Sequence, residues 1–458
     1  MSGQTIDVSQ VIEGRKLNAF NYHLIIGSWL IAMFDGFDLS IAAFASTYMR
    51  DELGMSPGQL ANVLSAGLLG TALGALIFSW LSDKIGRRPV LIGCSFAFGL
   101  LTAATGLAPT YEWLLAIRFL DGVALGANVP IIWALNSEYV PKRFRATVIT
   151  VIMVGFSVGT SGAGPIVVAL EPLIGWRGIM FMGGAGSVLV ALYLIYAMPE
   201  SIRWLVARKD RPGRVAAILH RMTGRGGDSY PADGHYVLGD EAEAKPQDAR
   251  LSDLFAGWLA WATPLVWIAY IAASFAIYYV NGWGPIIFEG MGFDRETGAL
   301  ATAFGGVMGS VAGLVMMRTT DRRGLVTVLF YPVLLLPVLL VLGLMPLSQD
   351  VILILAMVVL ALIGGMTFVL LSIIAPLYPT AIRGNGSGWA QSVAKLGAVL
   401  GPLFGGFMSE SGMPSVRGYA ILAVVPAIVV LSTIGILMAQ KRAGIRNAEN
   451  ATTETSPT

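Results

Sequence analysis

One cysteine, Cys94, stands in 458 residues, so the chain can close no internal disulfide. Histidine is nearly as scarce, at positions 23, 220 and 235, and no cluster of His, Cys and acidic residues has the spacing of a metal site. Phosphate-binding loops and nucleophile elbows are missing too, which leaves no case for an enzyme and no cofactor to expect. Charge is sparse: Asp, Glu, Lys and Arg make up 13% of the chain, and a net charge of +2 offers little to a nucleic acid. No cleaved leader is expected. The first 21 residues are polar, and Arg15 and Lys16 stand just ahead of the first apolar run, which points to a cytoplasmic N-terminus.

What the chain has in excess is apolar length. Hydrophobic residues make up 55% of it and the mean hydropathy is +0.70, far from the balance of a soluble domain this long. Twelve runs of about 20 apolar residues follow one another, the length that crosses about 30 Å of hydrocarbon at 1.5 Å per residue. They predict an all-α membrane protein of twelve transmembrane helices in two six-helix bundles. The first bundle is expected over 22–198 and the second over 258–440. The remaining segments, 1–21, the central loop 199–257 and the tail 441–458, all fall on the cytoplasmic side. With that orientation 24 of the 30 Lys and Arg lie in cytoplasmic loops, and the opposite loops hold Arg50, Arg177, Arg295 and Arg417. So lopsided a split is what the positive-inside rule demands of a correct count. In the central loop, Arg203 to Arg221 carry apolar Val206, Val215, Ile218 and Leu219 between them, the pattern of a basic amphipathic helix. The stretch 224–250 and the tail beyond Arg446 read as flexible polar segments.

The two halves repeat. Asp83-Lys84-Ile85-Gly86-Arg87 after span two returns as Asp321-Arg322-Arg323-Gly324 after span eight, an offset of 238 (321 against 83). Tyr139-Val140-Pro141 leading to Arg145 is echoed by Tyr378-Pro379 leading to Arg383, and Gly164-Pro165 by Gly401-Pro402. Parallel halves of this kind place a substrate site near the bilayer midplane and expose it alternately by rocking. Asp83, Gly86, Arg87, Arg88, Glu138, Arg145, Asp321, Arg322 and Arg383 form the expected gating set. The Asp83 carboxylate is available to accept from nearby helix N-termini or to pair with an arginine.

Charges inside the spans are not repeated, which separates them from the shared machinery. Asp35 and Asp38 sit three residues apart in span one, on one helical face. A carboxylate at mid-membrane costs about 2.5–3.5 kcal/mol, so it needs a partner or a proton. Two such acids are candidates for proton coupling. Arg118 lies in span four with Asp121 three residues on, so part of its charge can be neutralised on its own helix. Lys395, deep in span eleven, has no acid within four residues and needs a partner from elsewhere: Asp35, Asp38 or a substrate carboxylate. Span seven carries Tyr278 and Tyr279, then Asn281-Gly282-Trp283-Gly284-Pro285, where a helix break is expected. Phe34, Phe37, Tyr278, Tyr279, Trp283 and Trp389 are candidates to hold a ring, with ordinary packing as the alternative for each. Gly155 and Gly159, and likewise Gly397 and Gly401, mark seams for close helix approach.

Across 20–440 these features resemble the major facilitator superfamily. The segment Asp83 to Arg88 is similar to that superfamily's loop motif, with Ser79 where a glycine is usual and the second copy eroded beyond Gly324. Pro199-Glu200-Ser201-Ile202-Arg203 is similar to a segment of sugar porters and organic-acid carriers. Gln440-Lys441-Arg442-Ala443-Gly444 lacks the sugar-porter ending. Asp35-Gly36-Phe37-Asp38, Arg118-Phe119-Leu120 and Gly386-Ser387-Gly388-Trp389 resemble the aromatic acid:proton symporter family. That family usually has Arg at the position of Lys395 and a neutral residue at that of Asp121. The resemblance implies a monomeric carrier of the bacterial inner membrane that imports a benzoate-like carboxylate with a proton. Asp35 and Asp38 would carry the proton, and Lys395 with Arg118 would meet the carboxylate. An exporter of amphipathic compounds, or a carrier of another small organic anion, would use the same fold.

Overall fold

The computed structural model describes residues 5–208, 212–224, 230–239, 251–379 and 382–454; the side chains of 314–326, 371–376 and 445–454 lie outside the described residues. The spanning helices are α1 Ala19–Phe44, α2 Pro57–Ile85, α3 Arg87–Thr105 and α4 Tyr111–Leu125, the last continued by Asn128–Tyr139. One hydrogen-bonded run, Lys142–Ala197, holds both α5 (142–174) and α6 (176–197). It turns at Gly175, whose φ of 65° and ψ of 169° are outside the helical region and cost a glycine little. Then come α7 Leu259–Gly290, α8 Arg295–Arg323, α9 Phe330–Leu344, α10 Gln349–Leu377, α11 Arg383–Glu410, and α12, made of Ser415–Leu422 and Val424–Glu454. Ten segments among the described residues are long and apolar enough to cross a membrane. The long run 142–197 holds two of the spans, and α8 completes the twelve.

Two compact units result, one of residues 1–42 and 66–246, the other of 43–65 and 247–458. The hairpin end joining α1 to α2 therefore clusters with the second unit. In the first, α1 and α5 touch backbone to backbone, and a Cβ on Gly159 would collide with the Met33 carbonyl and the Phe37 amide. In the second, a Cβ on Gly397 of α11 would collide with the Ile271 carbonyl and the Phe275 amide of α7. These contacts lie 238 positions apart, residue for residue, so the repeat seen in the loops extends to helix packing inside each unit. The arginines match as well: Arg145 Nε donates to Val140 O at 3.0 Å and Arg383 Nε to Tyr378 O at 3.4 Å.

Three expectations need correcting. Helix α7 runs unbroken through Asn281-Gly282-Trp283-Gly284-Pro285 to Gly290. Proline removes one N–H from the ladder, yet all other backbone groups in hydrocarbon are best satisfied within the helix. The stretch 224–250 is not wholly loose, since His235–Val237 pairs in parallel with Thr5–Asp7. Asp7 Oδ1 accepts from Ser9 N and from Gly239 N, fastening that strand to the N-terminal segment. The stretch beyond Arg446, expected as a flexible polar segment, continues the α12 backbone helix to Glu454. The basic loop helix is present as Pro212–Thr223, with Val215, Ala216, Leu219 and Met222 buried in the first unit's core.

Candidate functional site

Three helices of the first unit bring four polar side chains together in its interior. From α1 comes Asp38, from α3 Thr102, and from α4 Arg118 and Asp121; all are at least 94% buried. Arg118 Nη1 lies 3.1 Å from both carboxylate oxygens of Asp38 and 2.8 Å from Asp121 Oδ2. Thr102 Oγ1 lies 3.1 Å from Asp38 Oδ1 and 3.3 Å from Asp121 Oδ1. One guanidinium thus serves two carboxylates. The local i,i+3 pairing legible in the sequence is present, and Asp38 joins it from another helix. Arg118 Nε and Nη2 make no hydrogen bond to a described residue of this unit and lie on the side of the guanidinium that packs against Gly67 of α2.

The neighbouring side chains divide into those engaged in packing and those with surface to offer. Asp35 is buried, 4% exposed, on the helix that supplies Asp38. Phe34 and Phe37 meet edge to face at 6.3 Å, and their rings lie against Gly186 and Gly183 of α6. Helix packing accounts for Phe37, and Phe34 is half-buried. In the second unit Tyr279 is buried against Phe275 and Phe404, and Trp283 against Gly405 of α11. Trp389 is exposed and stacks on Trp267 at 6.1 Å. Tyr278 and Lys395 are half-buried. Lys395 makes no hydrogen bond or ion pair within its own unit, among the described residues.

The gating residues at the α2–α3 turn are organised by a side chain that the sequence reading did not single out. Glu200 Oε1 accepts from the backbone N–H of Arg87 at 2.8 Å, of Arg88 at 3.1 Å and of Ser201 at 2.8 Å. This carboxylate, and not that of Asp83, caps the N-terminus of α3, where free N–H groups and the helix dipole favour an anion. Gly86 turns the chain with φ 106°, and a Cβ there would collide with Glu200. Arg87 pairs with buried Glu138, whose other oxygen takes the Ser201 hydroxyl at 2.6 Å. Arg88 reaches Met198 O and Ile195 O at 2.8 and 2.6 Å. Asp83 is exposed; its backbone carbonyl accepts from Trp204 Nε1 at 2.9 Å. The Asp321 and Arg322 side chains lie outside the described residues. Replacing Glu200 with alanine strips three N–H groups of their acceptor and should cost about 1–2 kcal/mol, read as a lower melting temperature of the detergent-solubilised protein.

A second charge group, within the second unit, ties residues 43–65 to α7, α8 and α11. Arg295 pairs with Asp51 and, at 3.4 Å, with Glu289; Arg50 lies 3.0 Å from Asp51 and 3.8 Å from Glu289. Glu410 Oε1 accepts from Gly58 N at 2.9 Å. These pairs are at least partly exposed, and each is worth about 1 kcal/mol or less.

Comparison with known proteins agrees with this architecture. A family model described as Major Facilitator Superfamily matches residues 28–375. A gallate transporter of Pseudomonas putida is 30% identical over 411 residues, covering 89% of this chain and 90% of its own. A 4-hydroxybenzoate transporter of Pseudomonas aeruginosa is 31% identical over 416 residues, with coverages of 88% and 89%. A benzoate transport protein of Acinetobacter baylyi is 30% identical over 437 residues, with coverages of 94% and 92%. Among solved structures, a bacterial homologue of the human lysosomal transporter Spinster superposes with a TM-score of 0.67 at 17% identity, covering 93% of this chain and 98% of its own, a likeness of fold. The chain therefore belongs to the major facilitator superfamily, among the relatives of its aromatic-acid transporters, and is a multi-pass membrane carrier and not an enzyme.

Proposed function

We propose that this carrier imports a small aromatic carboxylate together with a proton by alternating access, as a monomer in a bacterial inner membrane with both termini cytoplasmic. The observation that carries the reading is the buried group of Asp38, Arg118 and Asp121, two acids to one base inside a membrane bundle. An unbalanced carboxylate in a low-dielectric interior is stable with a proton or a second cation, and carriers place such groups on ion pathways. The substrate class is supported by the relatives, named for gallate, 4-hydroxybenzoate and benzoate. In this reading Asp35 and Asp38 take part in proton coupling. Lys395 and Arg118 attract the substrate carboxylate. Phe34, Tyr278 and Trp389 are the aromatic candidates with ring surface left to offer. The α2–α3 turn with Asp83, Gly86, Arg87, Arg88, Glu138 and Arg145, and its second copy with Asp321, Arg322 and Arg383, gates the conformational change.

The test is uptake by proteoliposomes of radiolabelled benzoate, 4-hydroxybenzoate and gallate, each beside its uncharged amide, with and without an inward proton gradient. At least one acid should accumulate above equilibrium only with the gradient, and its amide should not. Equal entry of acid and amide, or accumulation indifferent to the gradient, overturns the proposal.

A further inference from the structure

We propose that Asp121 is the residue that binds the coupled proton, sharing it with Asp38 through the Thr102 hydroxyl while Arg118 holds both carboxylates in place. This rests on the proton-coupled reading above and names the atom that reading leaves open. A threonine hydroxyl has one proton to donate. Thr102 Oγ1 has three acceptors within 3.3 Å: Phe98 O at 3.0 Å, Asp38 Oδ1 at 3.1 Å and Asp121 Oδ1 at 3.3 Å. If Thr102 donates to one of them, two lone-pair oxygens still face its own oxygen. A protonated carboxyl removes one of these two by donating to Thr102.

Arg118 distinguishes the two carboxyls. Asp38 has both oxygens 3.1 Å from Arg118 Nη1, so neither is turned away from the cation to carry a proton. Asp121 gives only Oδ2 to Arg118, at 2.8 Å, and turns Oδ1 to Thr102. Protonated on Oδ1, Asp121 donates to Thr102, still accepts from Arg118, and leaves Asp38 and Arg118 as a balanced pair. The charged groups that face Asp121 are Asp38 on α1 and Arg118 on its own helix. From α3 it meets Thr102, and α2 lies backbone to backbone against neighbouring Gly122 at Gly67 and Gly70. Loss of the proton leaves two carboxylates on one guanidinium in a site where Asp121 itself is 0% exposed. That state draws a proton back or turns Arg118 toward a new arrangement, which is the link a symporter needs between protonation and conformation.

The experiment compares wild type with Asp121→Asn, Asp121→Glu and Thr102→Val in proteoliposomes, using whichever of benzoate, 4-hydroxybenzoate or gallate the wild type accumulates. Two quantities are read: accumulation under an inward gradient of one pH unit, and exchange of labelled for unlabelled acid with no gradient. One coupled proton supports about tenfold accumulation under that gradient. Asp121→Asn, fixed in the neutral form, should lose it and stop at equilibrium, while exchange persists at a reduced rate of about a third of wild type or more. Asp121→Glu should recover part of the accumulation, and Thr102→Val should shift the pH at which accumulation is half-maximal. Accumulation by Asp121→Asn at the wild-type ratio overturns the assignment. So does loss of exchange and accumulation together in both Asn and Glu variants with the proteins still folded, which marks a structural role. A wild type that exchanges the acid but never responds to the gradient defeats the proton-coupled reading itself, an outcome distinct from either.

Discussion

Arg118→Leu should be among the most damaging single substitutions in the molecule, lowering the stability of the first unit by about 3–5 kcal/mol, because it strands Asp38 and Asp121 in the interior with no cation. The contrast with its partners is the informative part. Asp38→Asn leaves Arg118 still paired with Asp121 at 2.8 Å, and Asp121→Asn leaves it with both oxygens of Asp38, so each should cost far less. Combining Arg118→Leu with Asp38→Asn should recover part of the loss, since one stranded carboxylate can be neutralised by a proton more readily than two neighbours. Thermal unfolding of the four purified proteins in one detergent gives the cycle. A fully additive result would mean that Arg118 and Asp38 do not stabilise each other in the membrane, and the coupling account would lose its structural basis.

Lys395→Ala should weaken binding of the substrate acid by about 1.5–3 kcal/mol, the scale of a charge-assisted hydrogen bond, and barely alter binding of the corresponding amide. The half-buried ammonium has no hydrogen-bond or ion-pair partner within its own unit among the described residues, so an incoming carboxylate has no competitor there. Arginine at this position should keep part of the affinity, because the charge survives while the donor geometry changes. If Lys395 served instead as a counter-ion for Asp35 or Asp38, alanine would strand that acid, lower the melting temperature and weaken acid and amide alike. Binding of the acid and amide to wild-type and Ala proteins, with melting temperatures alongside, separates the two roles.

The twelve spans were legible because hydrocarbon thickness and loop charge act locally on sequence. The 238-residue repeat was legible for a related reason: the same packing problem is solved twice, so Gly159 on Met33 has its counterpart in Gly397 on Ile271. Arg118 with Asp121 could be read from helical spacing alone. Asp38 joining them could not, since no local rule says which helices face one another. Glu200 was hidden for the same reason. It caps a helix that begins more than a hundred residues earlier, and its only sequence signal was the segment Pro199 to Arg203. The helix break expected in α7 failed because Gly and Pro rules come from water-exposed helices, whereas a helix in hydrocarbon has no solvent to satisfy an opened backbone.

The decisive observation is proton movement on addition of substrate. Proteoliposomes are equilibrated in weak buffer with no gradient, at a pH where the acid is ionised, and external pH is followed as the acid is added. Symport produces alkalinisation outside, above that of protein-free liposomes, which a protonophore abolishes and which is lost in Asp121→Asn. Labelled acid entering wild-type vesicles with no proton movement beyond the protein-free control would contradict it.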